Sequence, residues 1–149
     1  MNPSQIAEHP FLHDMKPAHL AALAEFAMPT QFAAGELIFQ QGDTANRFYL
    51  IRSGRVQLSA AAGADRRVLA QTIGAGEVLG WSWLFPPYEW HFDARAVEET
   101  EAIFFYGTVL RARCEDDHDL GYELMLRVAT VVMQRLQSTR DQLLKQQSG

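Results

Sequence analysis

Seven glycines, Gly35, Gly42, Gly54, Gly63, Gly74, Gly76 and Gly80, punctuate one stretch of the chain, mostly at intervals of seven to twelve residues. Between them lie short apolar runs: Leu37-Ile38-Phe39, Phe48-Tyr49-Leu50-Ile51 and Val56-Gln57-Leu58. Tight turns between short strands need φ > 0, which glycine adopts without a Cβ clash. Short strands at this spacing predict an antiparallel sandwich or roll. Two further strands are expected at Phe92 to Val97 and Ala102 to Tyr106.

Helical spacing appears on both flanks. Phe11-Leu12, Leu20, Leu23 and Phe26 recur at three and four residues, so residues 1–30 read as short helices, with Pro10 and Pro17 as starts and Pro29 as a stop. Over 119–147 the sequence predicts one long amphipathic helix, carrying Tyr122, Met125, Leu126, Ala129, Val132, Met133, Leu136 and Leu143. The acidic run Glu115-Asp116-Asp117-His118-Asp119 precedes it and reads as a solvated capping turn that complements the helix dipole. The expected fold is mainly β (α+β): one domain over 1–149, with N-terminal helices (1–30), an antiparallel β-roll or jelly roll (31–110) and the long C-terminal helix.

Composition narrows the function. A chain of 149 residues suits one domain, able to bury roughly 70% of its unfolded surface. No apolar run approaches the roughly 20 residues that span a bilayer, and Met1 to Pro10 lacks a basic and then apolar leader, so the expectation is a cytoplasmic protein without membrane contact. The one cysteine, Cys114, excludes an intramolecular disulfide and reads as an ordinary half-buried thiol. The net charge is −5, and no basic cluster is denser than Arg66-Arg67 or Arg111 with Arg113. Nucleic-acid binding needs a concentrated positive footprint. Ser82, His91 and Asp93 do not form a hydrolytic site, because Gly80-Trp81-Ser82-Trp83-Leu84 is not a nucleophile elbow. His9 and His13 with Glu8 and Asp14 would need one helical face to bind metal, and Pro10 interrupts it. Haem ligation through His91 or Cys114 lacks a second axial ligand. The chain reads as a non-enzyme without a metal site.

The order of motifs is informative. Phe32-x-x-Gly35-Glu36-x-Ile38-Phe39-x-Gln41-Gly42-Asp43, then Phe48-Tyr49-x-Ile51-x-Ser53-Gly54-x-Val56, then Gly74-x-Gly76-Glu77-Val78-Leu79-Gly80, resembles the cyclic nucleotide-binding domain family across roughly residues 10 to 147. Within it the chain is similar to the sensor half of catabolite-activator-type transcription regulators. The resemblance implies a ligand cassette over 76–96 and a dimer interface on the long helix. In those regulators a helix-turn-helix domain follows; here the chain ends at Gly149, and no DNA binding by this chain is expected.

The same resemblance assigns roles within the cassette. In the family, backbone amides of a short helix face the cyclic phosphate, a glutamate just after a glycine accepts the ribose hydroxyl, and an arginine about ten residues on neutralises the phosphate. An ungapped reading puts Gly80 at the glycine, Trp81 at the glutamate, Trp90 at the arginine and His91 at its small polar neighbour. Losing one member of a buried charge pair costs about 2–5 kcal/mol, so standard cyclic-nucleotide binding is not expected. Strand alternation puts Arg95 on one face with His91 and Asp93, as a surface ion pair. Aromatic side chains replace the lost chemistry: Trp81, Trp83, Phe85, Tyr88, Trp90 and Phe92 lie within twelve residues. They either fill the vacated space as core or line a site for an apolar or planar ligand.

The candidate ligand-binding residues are therefore Gly80, Trp81, Ser82, Trp83, Trp90, His91, Phe92 and, from the long helix as in family members, Thr139. The expected function is a non-catalytic regulatory sensor, homodimeric through the C-terminal helix, that passes its state to another protein. The alternatives are a ligand-free dimerisation or interaction module, or a cyclic-nucleotide binder with a non-standard cassette. A cyclic nucleotide or another small planar ligand is the only cofactor this reading suggests.

Overall fold

Asn2 opens helix α1 (Pro3–Ala7) through a reciprocal pair of bonds: Gln5 N–H donates to Asn2 Oδ1 at 2.8 Å, and Asn2 N–H donates to Gln5 Oε1 at 2.8 Å. Pro10 and Pro17 start a 3-10 turn (Pro10–Leu12) and helix α2 (Pro17–Ala24), where a missing N–H costs nothing. Pro29 is not a helix stop. Helix α2 has already ended at Ala24, and Pro29 lies inside strand β1 (Met28–Phe32), at a sheet edge where proline's missing donor is tolerated.

The computed structural model describes residues 1–148. The chain divides into two compact units, Met1–Ala112 and Arg113–Gly149. The first holds eight strands: β1, β2 (Leu37–Phe39), β3 (Arg47–Ser53), β4 (Arg55–Ala61), β5 (Arg67–Gly74), β6 (Val78–Leu79), β7 (Asp93–Ala96) and β8 (Thr100–Tyr106). They form two antiparallel four-stranded sheets, in the orders β1-β8-β3-β6 and β2-β7-β4-β5. This is the expected antiparallel roll.

The roll's interior holds a cluster that includes Phe32, Tyr49, Ile51, Val56, Leu58, Ile73, Leu79, Ala94, Ala96 and Phe104. Strand β3 is buried on both faces, because Tyr49 and Ile51 point into this cluster while Phe48 meets Phe11 of the N-terminal segment, ring edge to face at 5.4 Å. Of the seven glycines, all but Gly74 have positive φ. Gly54 has a second constraint: a Cβ there would lie 2.4 Å from Thr100 Oγ1, so the β3–β4 turn also needs glycine for space.

A helix not expected from the sequence, α3 (Gly107–Asp116), follows β8 and carries little apolar periodicity, with Gly107 and Leu110 its buried residues. The acidic run is consequently split. Glu115 and Asp116 belong to the last turn of α3, and Asp117 alone lies between helices, where its Oδ1 accepts Leu120 N–H at 3.2 Å. Helix α4 (His118–Ser148) has 31 residues, about 46 Å at 1.5 Å per residue. Leu120, Leu124 and Val128 on it are buried, whereas Tyr122, Met125, Ala129, Val132, Met133, Leu136 and Leu143 are all exposed. Among the described residues no helix is long and apolar enough to cross a membrane.

Candidate functional site

The cassette grows out of the β5–β6 turn. Glu77 closes that turn on itself: its Oε2 accepts Gly74 N–H at 2.6 Å and its own N–H donates to Gly74 O at 3.1 Å. Strand β3 grips the turn through Gly76 N–H to Ile51 O and Ile51 N–H to Glu77 O, both 2.9 Å. Strand β6 then delivers Gly80 with φ +85°, followed by a single 3-10 turn (Ser82–Leu84).

Gly80 and Trp90 come together, with little room between them. A Cβ on Gly80 would lie 2.5 Å from Trp90 Cζ3 and 2.7 Å from Cη2. Across the indole's other surroundings lies Phe39 of β2, stacked at a centroid distance of 3.8 Å and an interplanar angle of 6°. Trp90 is 5% exposed, so its six-membered ring is wedged between protein groups. An indole has one N–H donor and no charge, so it cannot neutralise a phosphate.

The backbone beside Trp90 is fastened to the loop after β2. Trp90 N–H donates to Asp43 O at 3.0 Å, Gly42 N–H to Trp90 O at 2.9 Å and Ala45 N–H to Tyr88 O at 2.7 Å. Asp93 Oδ1 adds a fourth tie by accepting Gln41 N–H at 2.7 Å. The second oxygen of Asp93 pairs with Arg67 at 2.8 Å, while Arg95 donates to Gly35 O at 2.7 Å. The expected Asp93–Arg95 pair is therefore replaced. Cross-strand register seats Asp93 opposite Ser59 on β4, whose hydroxyl and carbonyl also receive Arg67 from β5.

The other predicted residues scatter. Trp83 is 1% exposed and turns to a different neighbourhood, against Phe48 at 5.4 Å and the start of α3, where a Cβ on Gly107 would come within 2.7 Å of Trp83 Cβ. Its Nε1–H has no hydrogen-bond partner. Trp81 and Ser82 are half-buried, while His91 and Phe92 are exposed. Thr139 stands exposed on α4, in the second unit. Two contributors escaped the sequence reading. Phe39 stands in the sequence only as a strand residue of the motif Phe32 to Asp43. Arg111, on α3, donates to Trp83 O and lays its guanidinium 4.0 Å from the Tyr88 ring centroid. Among the described residues no group of three or more His, Cys, Asp or Glu is placed to hold a metal ion.

This arrangement offers buried π-surface and backbone hydrogen bonds. Arg67, Arg95 and Arg111 are each engaged with protein groups. No nucleophile paired with a base emerges from the candidate residues.

Comparison with known proteins agrees with the architecture. The family model for the cyclic nucleotide-binding domain matches residues 29–117, more than half of the chain. A CRP-like cAMP-activated global transcriptional regulator of Mycobacterium tuberculosis is 26% identical over 129 residues, covering 87% of this chain and 56% of the relative. The cyclic AMP receptor protein of Thermus thermophilus is 32% identical over 98 residues, covering 65% of this chain and 45% of the relative. The chain thus spans about half the length of these two curated relatives. A crystal structure of a putative cyclic nucleotide-binding protein from Geobacter metallireducens superposes with a TM-score of 0.82 at 26% identity, covering 91% of this chain and 98% of that one. By its motifs, its two-sheet roll and the matched family model, the chain belongs to the cyclic nucleotide-binding domain family.

Proposed function

We propose that the protein is a non-catalytic regulatory domain whose cassette does not hold cyclic AMP or cyclic GMP in the family's usual way. The observation that carries this reading is the wedged indole of Trp90, stacked on Phe39 and abutting Gly80. That ring stands at the sequence position where the resemblance puts the phosphate-binding arginine. Trp81, at the position of the ribose-binding glutamate, brings an indole in place of a carboxylate. Burial of Trp83 and Trp90 favours the core-filling role over a ready-made planar-ligand site. The ligand-free interaction module is therefore the stronger of the two forms of this reading, with a planar-ligand sensor as the second.

Signal output in this reading passes through α4. Its exposed stripe recurs at three and four residues, and Thr139 falls seven residues after Val132 and fourteen after Met125 on the same face. A partner helix from a second copy is the simplest cover for an apolar stripe of that length, giving a two-fold dimer. Such a dimer hands its state to another protein. With a net charge of −5 and no dense basic cluster, this chain does not itself grip DNA. The setting proposed is the cytoplasm.

Calorimetry with cyclic AMP and cyclic GMP tests the central claim. The expected result is no saturable binding tighter than a Kd of about 100 μM, given the roughly 2–5 kcal/mol that follows loss of a buried charge partner. A micromolar constant for either nucleotide would overturn it.

A further inference from the structure

The cassette is tied to the roll on one flank by the bonds of residues 41–45, and on the other flank it meets α3. Gly107 and Arg111 are one helical turn apart, so they share a face of that helix. Gly107 lets the helix start press against Trp83, where any Cβ would overlap it. Arg111 then reaches across the cassette's 3-10 turn. Its Nη1 donates to the Trp83 carbonyl, and its Cζ lies over the ring of Tyr88, 4.0 Å from the centroid. Tyr88 sits at φ +59°, a left-handed conformation that a bulky residue seldom adopts unless its surroundings hold it. One side chain therefore fastens both ends of the segment 83–88.

We propose that Arg111 is a latch that holds the cassette closed from the α3 side without any bound nucleotide. Resting on the reading that the cassette is filled by its own side chains, the latch supplies the regulation of that site: release of Arg111 frees residues 82–90. Arginine suits the task, because its planar fork donates to a carbonyl while its face stacks on an aromatic ring. Lysine keeps the charge and loses the stack.

Hydrogen exchange on the full chain tests the latch. In Arg111→Ala, amide exchange over 82–90 is expected to rise about tenfold while strands β3 and β8 keep wild-type rates; Arg111→Lys is expected to fall between. Tyr88→Leu, which removes the ring face and keeps apolar bulk, should raise the same amides, and adding it to Arg111→Ala should change them no further. Unchanged exchange over 82–90 in Arg111→Lys and Arg111→Ala, a rise spread evenly over the roll, or strictly additive effects in the double variant would overturn the proposal. Calorimetry on the wild type keeps the two readings apart. A micromolar nucleotide constant sinks the filled-cassette reading, whereas only the exchange pattern decides the latch.

Discussion

The cassette and helix α4 use large apolar side chains in opposite ways. In the cassette, Trp83 and Trp90 are 1% and 5% exposed, each pinned by residues distant in sequence. On α4, Tyr122 and Leu136 are both 69% exposed, and Leu143 is 55% exposed. A small domain keeps its interior near crystal-like packing density, so rings that fit are absorbed. Helix α4, about 46 Å long, buries Leu120, Leu124 and Val128 but leaves an apolar stripe from Tyr122 to Leu143 exposed. The two tryptophans are thus packed within the roll, while the apolar residues of the helix are left exposed.

The sharpest way to break this contrast is to truncate one side chain from each region. Trp90→Ala removes a buried indole and leaves a cavity between Phe39 and Gly80, which should cost about 3–5 kcal/mol of unfolding free energy in urea titrations. Leu136→Ala, on the exposed stripe, should change monomer stability by no more than about 0.5 kcal/mol when both are measured at high dilution. Similar losses at the two positions would mean that the helix is as internally packed as the cassette.

A second test concerns what completes the helix. Leu136→Glu puts a carboxylate into the proposed seam and should weaken self-association at least tenfold, about 1.4 kcal/mol, in sedimentation equilibrium. If the wild type runs as a monomer at about 50 μM, the stripe has some other cover, and the two-fold dimer falls.

Much of the roll was legible because its determinants are local. Positive φ at Gly35, Gly42, Gly54 and Gly80 follows from turn geometry, and Pro10 and Pro17 mark helix starts by their missing donors. Local rules also failed where tertiary register decided the outcome. Alternation put Asp93 and Arg95 on one face, yet Ser59 brought Arg67 to Asp93 from two strands away. Helix α3 stayed hidden because its burial rests on Gly107 and Leu110, too few for a periodic signal. From the sequence the aromatic cassette is either filled core or a site for a planar ligand. Phe39 and Trp90 are far apart in sequence, and nothing in either segment says that their rings stack. Arg111 stands in the sequence only as half of a sparse basic pair with Arg113, on a helix whose apolar pattern does not reveal it, so nothing there points to Trp83 or Tyr88.

The smallest expected effect is a pH dependence at the root of the cassette. His9 is buried, its Nδ1 accepts Phe11 N–H at 3.1 Å, and its Nε2 lies 2.9 Å from Ile51 O, the same carbonyl that accepts Gly76 N–H. Both contacts are met by the neutral ring protonated on Nε2; a second proton on Nδ1 would face the Phe11 donor. Burial lowers the His9 pKa from its ordinary 6.5, the backbone carbonyls of Ile51 and Glu77 pull it back up, and Arg52 adds a further lowering charge. The unfolded chain thus binds more protons than the folded one between the depressed value and 6.5. Stability is whole above 6.5, falls as the pH drops through that window, and levels off below the folded value. Urea midpoints at pH 7.5 and 5.0 should show the wild type losing more on acidification than His9→Gln, which cannot titrate. The loss should come with faster exchange at Gly76 and Ile51, because protonation strikes the bonds that anchor the cassette to β3. Equal acid sensitivity in the two proteins would place the titrating group elsewhere and leave His9 as a packing residue with no part in holding the cassette.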